Sequence, residues 1–514
     1  MLAEIHVNNL KSQIIVRNAL GQVVSFPSTA QNGLEIYHPV ISALEEELTY
    51  YSEMMIMGQM REMPIRRFSV KTYKFDTGCV SNVIKILNAH EIEYKIVDKR
   101  IVIPPGIPIP LRPGVVPRPY QADAVEKGLK AGRGIFRLAT GAGKTFIGAN
   151  LLGQLNLPSV VFVHTLDLLD QFKKAVEFFL NIEVGQIGGG VVEPRNFTVV
   201  MMQTAITSFD QKYVKYEIDP DDDLEDKVIY NLQQKLKIRE CIERANVIVS
   251  DECHHLSTAT LQTLFKVAKS AYYRYGLTAT LREDGADLLI HGVTGKIISD
   301  VSASFLIEHN PPYLVRPHIY YIKVPKTRGT GGGNYQQRYK DDIVENEFRN
   351  ELIIQSVMKL VKKGQRVLVL AKHIKHLKTL TEMMEDGFTS HWPDLANCNS
   401  KSIQWELATG QINKEKRKEI IEAMRTNKLE CLFASTIADE GLDCPPISAV
   451  ILAGGGKSAT KAFQRVGRAL RLFETKDKAI IIDFYDQGKY FKKHAERRME
   501  LFRKEPAFIV KIQG

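Results

Sequence analysis

Leu138-Ala139-Thr140-Gly141-Ala142-Gly143-Lys144-Thr145 is the stretch of this sequence that decides the fold. A strand-like run (134–138) leads into it, and an apolar helical run (146–152) leads out of it. Small residues between a strand and a helix let backbone N–H groups surround an anion, which the positive end of the helix dipole also attracts. The stretch therefore predicts a phosphate-binding loop, and the alternative is a simple glycine turn between a strand and a helix.

The loop departs from the general pattern at one position. That pattern has a glycine six residues before the lysine, where this chain has Leu138, although Gly-x-Gly-Lys-Thr is intact. Lys144 is expected to reach the β- and γ-phosphates of a nucleotide, and the Thr145 hydroxyl is expected to bind Mg²⁺. A nucleotide and Mg²⁺ are therefore the predicted ligands of this loop. The small residues predicted to surround the phosphates are Thr140, Gly141, Ala142 and Gly143.

The composition is that of a globular protein with a preference for polyanions. The 514 residues are enough for three or four domains, and 44% of them are hydrophobic and 25% charged. No run approaches the ~20 apolar residues of a membrane span, and the N-terminus lacks the features of a signal peptide. We therefore expect a cytoplasmic protein, in the host cytoplasm if it is viral. The six cysteines form no Cys-x-x-Cys pair, and the net charge of +10 favours a polyanionic partner.

Residues 1–113 are predicted to form a small α+β accessory domain. The run 65–75 alternates basic with apolar or aromatic residues, as a strand does, and 80–87 has helical spacing. Residues 92–103 alternate as a short hairpin. The basic side chains expected to contact a nucleic-acid backbone are Arg66, Arg67 and Lys71. The alternative is an amphipathic strand whose basic face is only solvated.

A proline-rich linker (104–119) precedes two blocks in which strand-like and helical runs alternate. This alternation predicts an α/β fold with parallel sheets that carry helices on both faces. The predicted division is an N-terminal domain at 1–113, a first lobe at 114–300, an interlobe linker at 301–345 and a second lobe at 346–514. Only the first block contains a phosphate loop, which favours a nucleotide site in a cleft between two lobes.

Two adjacent carboxylates follow the apolar run Val247-Ile248-Val249-Ser250. Ligand sites of open α/β sheets lie at the carboxyl ends of the strands. There, Asp251 is expected to hold Mg²⁺, and Glu252 is expected to polarise the attacking water. The alternative is a chance pair of acids at the exit of a strand, which the phosphate loop upstream disfavours.

Asp251-Glu252-Cys253-His254 resembles the DExH box of superfamily 2 helicases, and further motifs of that family occur in the family's order from Arg118 to Arg471. The other stretches that resemble its motifs are Arg118-Pro119-Tyr120-Gln121, 161–171, Gln203-Thr204, Thr278-Ala279-Thr280, 434–443 and 464–471. The resemblance implies two RecA-like lobes that hydrolyse ATP. Arg282-Glu283-Asp284 is similar to the XPB-like branch, and the domain plan resembles phage UvsW-type helicases, which remodel forked and branched DNA.

The resemblance also implies roles for single residues. The catalytic set is Lys144, Asp251, Glu252, Arg468 and Arg471, and further nucleotide contacts are Tyr120, Gln121, Gly441, Asp443 and Gln464. The implied DNA contacts are Thr165, Thr204, Arg282, Asp284 and Thr436. Arg468 and Arg471 lie three residues apart, so both can project from one helix face as arginine fingers or form a solvated basic face. Thr204 and Thr436 are phosphate contacts or local caps.

Three functions remain open at this point. The first is an ATP-driven motor that unwinds or branch-migrates forked DNA in replication, recombination or repair, with other proteins of those processes as partners. The second is an RNA helicase or a translocase that moves along duplexes. The third is a nuclease with an attached motor, because Asp76, Glu93 and Lys95 weakly echo a metal-nuclease pattern. Neither a membrane partner nor a passive binding role is expected.

Overall fold

The structure of the chain is a computed structural model that divides into two compact units. The units are Met1–Leu138 with Gly143–Asp300, and Ala139–Ala142 with Val301–Gly514. The described residues are 2–26, 28–31, 34–56, 59–209, 224–281, 285, 287–325, 334–387, 400–409, 414–426, 428–435, 446–456, 466–467, 469–473 and 476–513. None of the helices in these ranges has the length and apolar character that would let it span a bilayer.

The first unit begins with a small α+β module, as predicted. Its elements are β1 (Leu2–Val7), β2 (Lys11–Arg17), β3 (Val23–Val24), β4 (Ser28–Gln31), β5 (Leu34–Tyr37), α1 (Pro39–Glu47), β6 (Thr49–Ile56), β7 (Gln59–Arg66), β8 (Lys74–Asp76), α2 (Val80–Ala89) and β9 (Tyr94–Asp98). One sheet has the order β3-β2-β1-β9 with β8 on β2, and two hairpins, β4-β5 and β6-β7, stand beside it. Ile5, Phe75 and Leu87 are among the fully buried residues of its core.

Two predictions for this module are wrong. The run 65–75 is not one strand, because β7 ends at Arg66 and the chain turns back before β8. The turn is closed by hydrogen bonds from the Ser69 N–H to the Lys74 carbonyl and from the Tyr73 N–H to the Ser69 carbonyl, with Tyr73 at a positive φ of 52°. The predicted hairpin at 92–103 is absent, since β9 pairs in parallel with β1 instead.

The rest of the first unit is an α/β lobe. Its elements are α3 (Pro119–Ala131), β10 (Arg133–Leu138), α4 (Lys144–Leu155), β11 (Ser159–Val163), α5 (Leu166–Leu180), β12 (Gly185–Gly188), β13 (Val191–Glu193), β14 (Phe197–Met201), α6 (Met202–Phe209), α7 (Leu224–Arg244), β15 (Val247–Asp251), α8 (Ala259–Val267), β16 (Tyr273–Thr278), α9 (Asp287–Thr294) and β17 (Ile297–Val301). The sheet order is β13-β12-β14-β11-β15-β16-β10-β17. Strands β11 and β15 are buried along their whole length, as expected for a parallel sheet covered on both faces.

The second unit is another α/β lobe. Its elements are α10 (Ala303–Glu308), β18 (Arg316–Val324), α11 (Tyr335–Tyr339), α12 (Glu347–Lys362), β19 (Val367–Leu370), α13 (Ile374–Asp386), β20 (Trp405–Ala408), α14 (Lys414–Arg425), β21 (Cys431–Ala434), β22 (Ala449–Leu452), β23 (Lys478–Asp486), α15 (Lys489–Arg503) and β24 (Ile509–Gln513). The strands pair in parallel in the order β20-β21-β19-β22-β23-β18-β24. Two mainly parallel sheets, with one antiparallel pair (β12 and β13) in the first lobe, therefore confirm the predicted α/β fold. Strand β18 lies within 301–345, for which a linker is predicted, and it pairs with two neighbours in this sheet.

The N-terminal module is seated directly on helix α9 of the first lobe. Gly78 lies in a short 3-10 turn, and a Cβ at this position would overlap the carbonyl oxygen of His291. A Cβ on Gly292 would lie 3.0 Å from the Asp76 Oδ2 atom. At a second contact, Arg133 Nη2 donates to the Asn9 carbonyl at 2.9 Å. Backbone therefore lies against backbone where the module meets the lobe, and a side chain does not fit there.

We expect Gly78→Ala to weaken the seating of the module by about 1–3 kcal/mol, because the added methyl group must displace the backbone of α9. Hydrogen exchange would show this as lost protection of amides in α9 and α2, with unchanged protection in β11. Ser81→Ala, an exposed change on α2, is the control. Equal protection in the Gly78→Ala and Ser81→Ala proteins would contradict the proposed seating.

Candidate nucleotide-binding site

The phosphate loop connects β10 to α4, as predicted. Gly141 and Gly143 have positive φ angles of 90° and 84°, and Gly143 is the residue that precedes the first turn of α4. Glycine adopts this left-handed region without the steric cost that a side chain would add. The two glycines let the chain turn sharply after Leu138, so that Lys144 begins the helix.

Gln121 lies against this loop. Its Oε1 atom accepts a hydrogen bond from the Arg118 backbone N–H at 2.9 Å, and a Cβ at Gly143 would lie 2.5 Å from its Nε2 atom. The neighbouring Tyr120 hydroxyl accepts from Arg118 Nη1 at 3.2 Å. Both predicted nucleotide contacts on α3 are therefore buried, and the Gln121 amide reaches the loop.

The two carboxylates stand at the carboxyl end of β15. Asp251 is the buried last residue of that strand, and Glu252 follows it in a left-handed conformation with φ 47°. Glu252 Oε1 accepts a hydrogen bond from Lys144 Nζ at 2.7 Å. Its other oxygen, Oε2, lies 3.4 Å from His254 Nδ1. The lysine of the loop and the acid of the DExH box thus form one partly buried ion pair.

The local charges shift the pKa values of these groups in opposite directions. Burial alone would raise the pKa of Glu252, but the Lys144 ammonium and His254 outweigh it and hold that pKa below its ordinary range. Burial, together with the charge of Glu252, raises the pKa of Asp251. The pKa of Lys144 is raised, because the two carboxylates overcome the opposing effect of burial. Glu252 and Lys144 are therefore both charged near neutral pH.

His254 links the DExH box to the next motif. Its Nδ1 atom lies 3.3 Å from the Thr278 hydroxyl oxygen, which also donates to the Thr280 carbonyl at 2.7 Å. The rings of His254 and His255 have centroids 4.3 Å apart, and those of His255 and His164 are 4.2 Å apart. Sequence reasoning identified His254 but missed this row of three rings, because contact between 164 and 255 has no local sequence signal.

Cys253 fits its place only because a glycine faces it on the neighbouring strand. A Cβ at Gly276 in β16 would lie 2.7 Å from the Cys253 Sγ atom. Cys253 is fully buried, and burial raises the pKa of its thiol. The thiol is therefore a packing group in the core of the first lobe.

The donor set suits a nucleotide polyphosphate with a divalent cation. A positive side chain and the N-terminus of α4 face the place where the loop turns, and both attract phosphate oxygens. Asp251 and the Thr145 hydroxyl are oxygen ligands of the kind that Mg²⁺ prefers. Any side chain at Gly143 would collide with the Gln121 amide, which packs against the loop.

The other predicted residues have local partners in the structure. Thr165 Oγ1 caps α5 by accepting from the Leu168 N–H at 3.3 Å, and Thr204 lies in the first turn of α6. Arg67 pairs with the buried Asp76, which also binds Lys11 Nζ at 2.7 Å. This pair uses the Arg67 guanidinium inside the module, contrary to its predicted place on an open basic strand.

The remaining basic candidates of the module are exposed. Arg66 is paired with Glu45 at 2.6 Å between Nε and Oε1, and Lys71 lies at the surface of the turn before β8.

In the second lobe, the predicted arginine finger Arg471 is mostly buried, and burial lowers its pKa. The candidates that lie outside the described residues are Arg282, Asp284, Thr436, Gly441, Asp443, Gln464 and Arg468.

The three residues of the nuclease hypothesis are not brought together. Asp76 lies on β8 at one side of the sheet, and Lys95 lies on β9, with β2 and β1 between them. Lys95 Nζ pairs with Glu4 Oε1 at 2.9 Å, and Glu93 is exposed. The echo of a nuclease pattern is therefore a set of surface and interior charges.

Comparisons with known families match both lobes. A family model described as "Type III restriction enzyme, res subunit" matches residues 114–283. A second model, "Helicase conserved C-terminal domain", matches residues 349–473. Together they cover the predicted motif region from the phosphate loop to the last arginine-rich motif.

Two curated relatives match most of the chain. The chain is 26% identical over 434 residues to the DNA 3'-5' translocase XPB2 of Sulfurisphaera tokodaii, covering 80% of this chain and 89% of that protein. It is 23% identical to the ATP-dependent DNA helicase uvsW of Enterobacteria phage T4, covering 73% and 69%. The solved structure of the DUF1998 helicase MrfA bound to DNA is 14% identical, with a TM-score of 0.52, and covers 80% of this chain and 54% of that one. This last likeness is one of fold.

We expect Gly276→Ala to lower the free energy of unfolding of the first unit by about 1–3 kcal/mol, because the added methyl group overlaps the Cys253 thiol. The affinity for nucleotide should fall as well. A Cβ at position 276 would also lie 2.9 Å from the Cys253 Cβ atom, so adding Cys253→Gly, which removes both the Sγ and the Cβ atoms, should restore part of both quantities. Thermal unfolding and nucleotide titration measure them. A double variant as defective as Gly276→Ala alone would show that the two side chains do not compete for space.

Proposed function

This chain belongs to the superfamily 2 helicases, and we propose from that membership that it is an ATP-driven helicase or translocase that acts on DNA. The observation that carries the proposal is the partly buried ion pair of Lys144 and Glu252, with the buried Asp251 beside it at a strand end. A protein that only binds nucleic acid has no use for this charge arrangement. The arrangement does suit an enzyme that orients a water molecule for attack on a phosphate.

DNA is the proposed track. Both curated relatives reported above carry DNA in their names, and the net charge of +10 suits a polyanion. Forked or branched DNA is the proposed substrate, since the chain resembles the UvsW-type helicases and matches 69% of the length of the phage relative. Contacts to phosphates rather than bases make the binding independent of sequence and sensitive to salt.

The residues of the site divide the work of ATP hydrolysis. Lys144 and the backbone of the loop would hold the phosphates, and Thr145 and Asp251 would hold Mg²⁺, which neutralises charge that develops on the phosphates. Lys144 must exchange Glu252 for phosphate oxygens when nucleotide binds. That exchange frees the Glu252 carboxylate to accept a hydrogen bond from water and to orient it. His254 keeps its contact with Thr278 and so joins this step to the Thr278-Ala279-Thr280 motif.

The test is the stimulation of ATPase activity by single-stranded, duplex, forked and four-way DNA and by RNA of equal length. We expect the forked and four-way DNA to stimulate most, and Lys144→Ala to abolish turnover with every nucleic acid. Stimulation by RNA alone would identify an RNA helicase. Stimulation by intact duplex, without strand separation, would identify a duplex translocase.

We expect Glu252→Gln to bind ATP and DNA tightly while turnover falls by about 10²-fold or more, because the amide keeps the shape of the side chain but cannot act as a base. Removal of the negative charge also frees Lys144 for phosphate. Equilibrium binding and single-turnover hydrolysis measure the two effects. Turnover close to that of the wild type would assign the orientation of water to another residue.

A further inference from the structure

Four consecutive residues follow β22 in the second lobe: Ala453, Gly454, Gly455 and Gly456, which we term the glycine loop. The loop is the last described part of the chain before the segment 457–465. That segment leads into the predicted motif at 464–471, which contains Arg468 and Arg471 and which we term the arginine motif. Gly455 has a positive φ of 52°. A Cβ there would lie 3.0 Å from Ile343 Cδ1 and 3.5 Å from an oxygen of Asp486.

Three buried side chains donate to backbone carbonyls of the glycine loop. Arg349 Nη1 donates to the Ala453 carbonyl at 2.7 Å, and Arg498 Nη1 donates to the Gly456 carbonyl at 2.7 Å. Between them, the Tyr339 hydroxyl donates to the Gly454 carbonyl. The three donors come from α12, α15 and α11, so three separate helices converge on one short loop.

Each arginine of this group is itself held by an acid at the end of β23. Arg349 Nε donates to Asp486 Oδ1 at 2.8 Å, and Arg349 has no exposed surface. Arg498 binds Asp483 through two hydrogen bonds of 2.8 Å. Burial would lower the pKa of Arg498, but Asp483 raises it above its ordinary value. A buried guanidinium that bridges a carboxylate and a carbonyl has little freedom to move.

The described residues that follow the segment 457–465 are also anchored in the second lobe. The Leu470 carbonyl accepts from the Val315 N–H at 2.8 Å, and Arg471 pairs with Leu314 in an isolated bridge. Val466 and Ala469 are fully buried. The described residues on both sides of position 468 are thus held in the second lobe.

We infer that Tyr339, Arg349 and Arg498 are positioning residues for ATP hydrolysis, which hold the glycine loop so that the arginines after it are presented correctly. This inference rests on the proposed function. Rate depends steeply on such placement, because an error of about 1 Å can cost roughly 10²-fold in rate. The three side chains touch the loop rather than the nucleotide, so their loss should lower kcat and leave the KM for ATP unchanged.

Tyr339→Phe is the sharpest variant, because it removes one hydroxyl and leaves the ring packed. We expect kcat of the DNA-stimulated ATPase to fall about tenfold or more, with the KM for ATP and the Kd for DNA unchanged. The Tm should fall slightly, because the Gly454 carbonyl loses its hydrogen bond, so the assay is run well below the Tm of the variant. The matched control is Tyr335→Phe, which removes the hydroxyl of a half-exposed tyrosine one helical turn away. Equal kcat values for the Tyr339→Phe and Tyr335→Phe proteins would overturn the inference.

A double-mutant cycle tests whether Tyr339 acts through the arginine motif. In an Arg468→Ala background, Tyr339→Phe should produce no further fall in kcat, since the group that it positions is gone. The same fold-loss in both backgrounds would overturn the inference. Wild-type protein that hydrolyses no ATP would instead overturn the proposed function itself.

Arg349→Lys gives an independent variant. Lysine keeps the charge beside Asp486 but cannot also reach the Ala453 carbonyl in the planar geometry of a guanidinium. We expect a loss of kcat at unchanged KM, with Arg338→Lys, whose partner Asp342 is 3.7 Å away, as the control. A rise in the KM for ATP with kcat preserved would show that Arg349 affects binding rather than the placement of the arginines.

Discussion

The whole site depends on one electrostatic constraint, which is that the buried Asp251 and the partly buried Glu252 are adjacent at the end of a strand. Asp251 and Glu252 repel each other and lose hydration, so they require a positive charge close by. Lys144 supplies it at 2.7 Å. The sheet makes this possible, because only β16 stands between β15 and β10, and parallel strands direct their carboxyl ends to the same edge.

Much of this could be predicted from the sequence, because the signals are local. The strand before Lys144 and the strand before Asp251 each show a short apolar run, and both appear where they were expected. The α/β alternation likewise predicts two parallel sheets. The proximity of Lys144 and Glu252 follows from topology once both strands are known.

What could not be predicted depends on pairing over long distances in the chain. Strand β9 joins β1 in parallel, which a local alternation of residues cannot distinguish from a hairpin. Arg67 looks like a surface cation until its partner Asp76 is seen to be buried beneath it. Arg349 meets Asp486 from 137 positions away. No spacing rule connects residues so far apart, and only the folded sheet brings them together.

The left-handed backbone of Glu252 has a consequence for how this protein can evolve. A residue with a side chain pays about 1–3 kcal/mol to stay in that conformation, which glycine or asparagine adopts more easily. The glutamate at this position therefore lowers the free energy of unfolding but supplies the carboxylate that hydrolysis needs. Selection for heat resistance alone would favour replacements there that stabilise the fold and abolish ATP hydrolysis. Substitutions that raise thermal stability and preserve activity would therefore have to be made elsewhere in the chain.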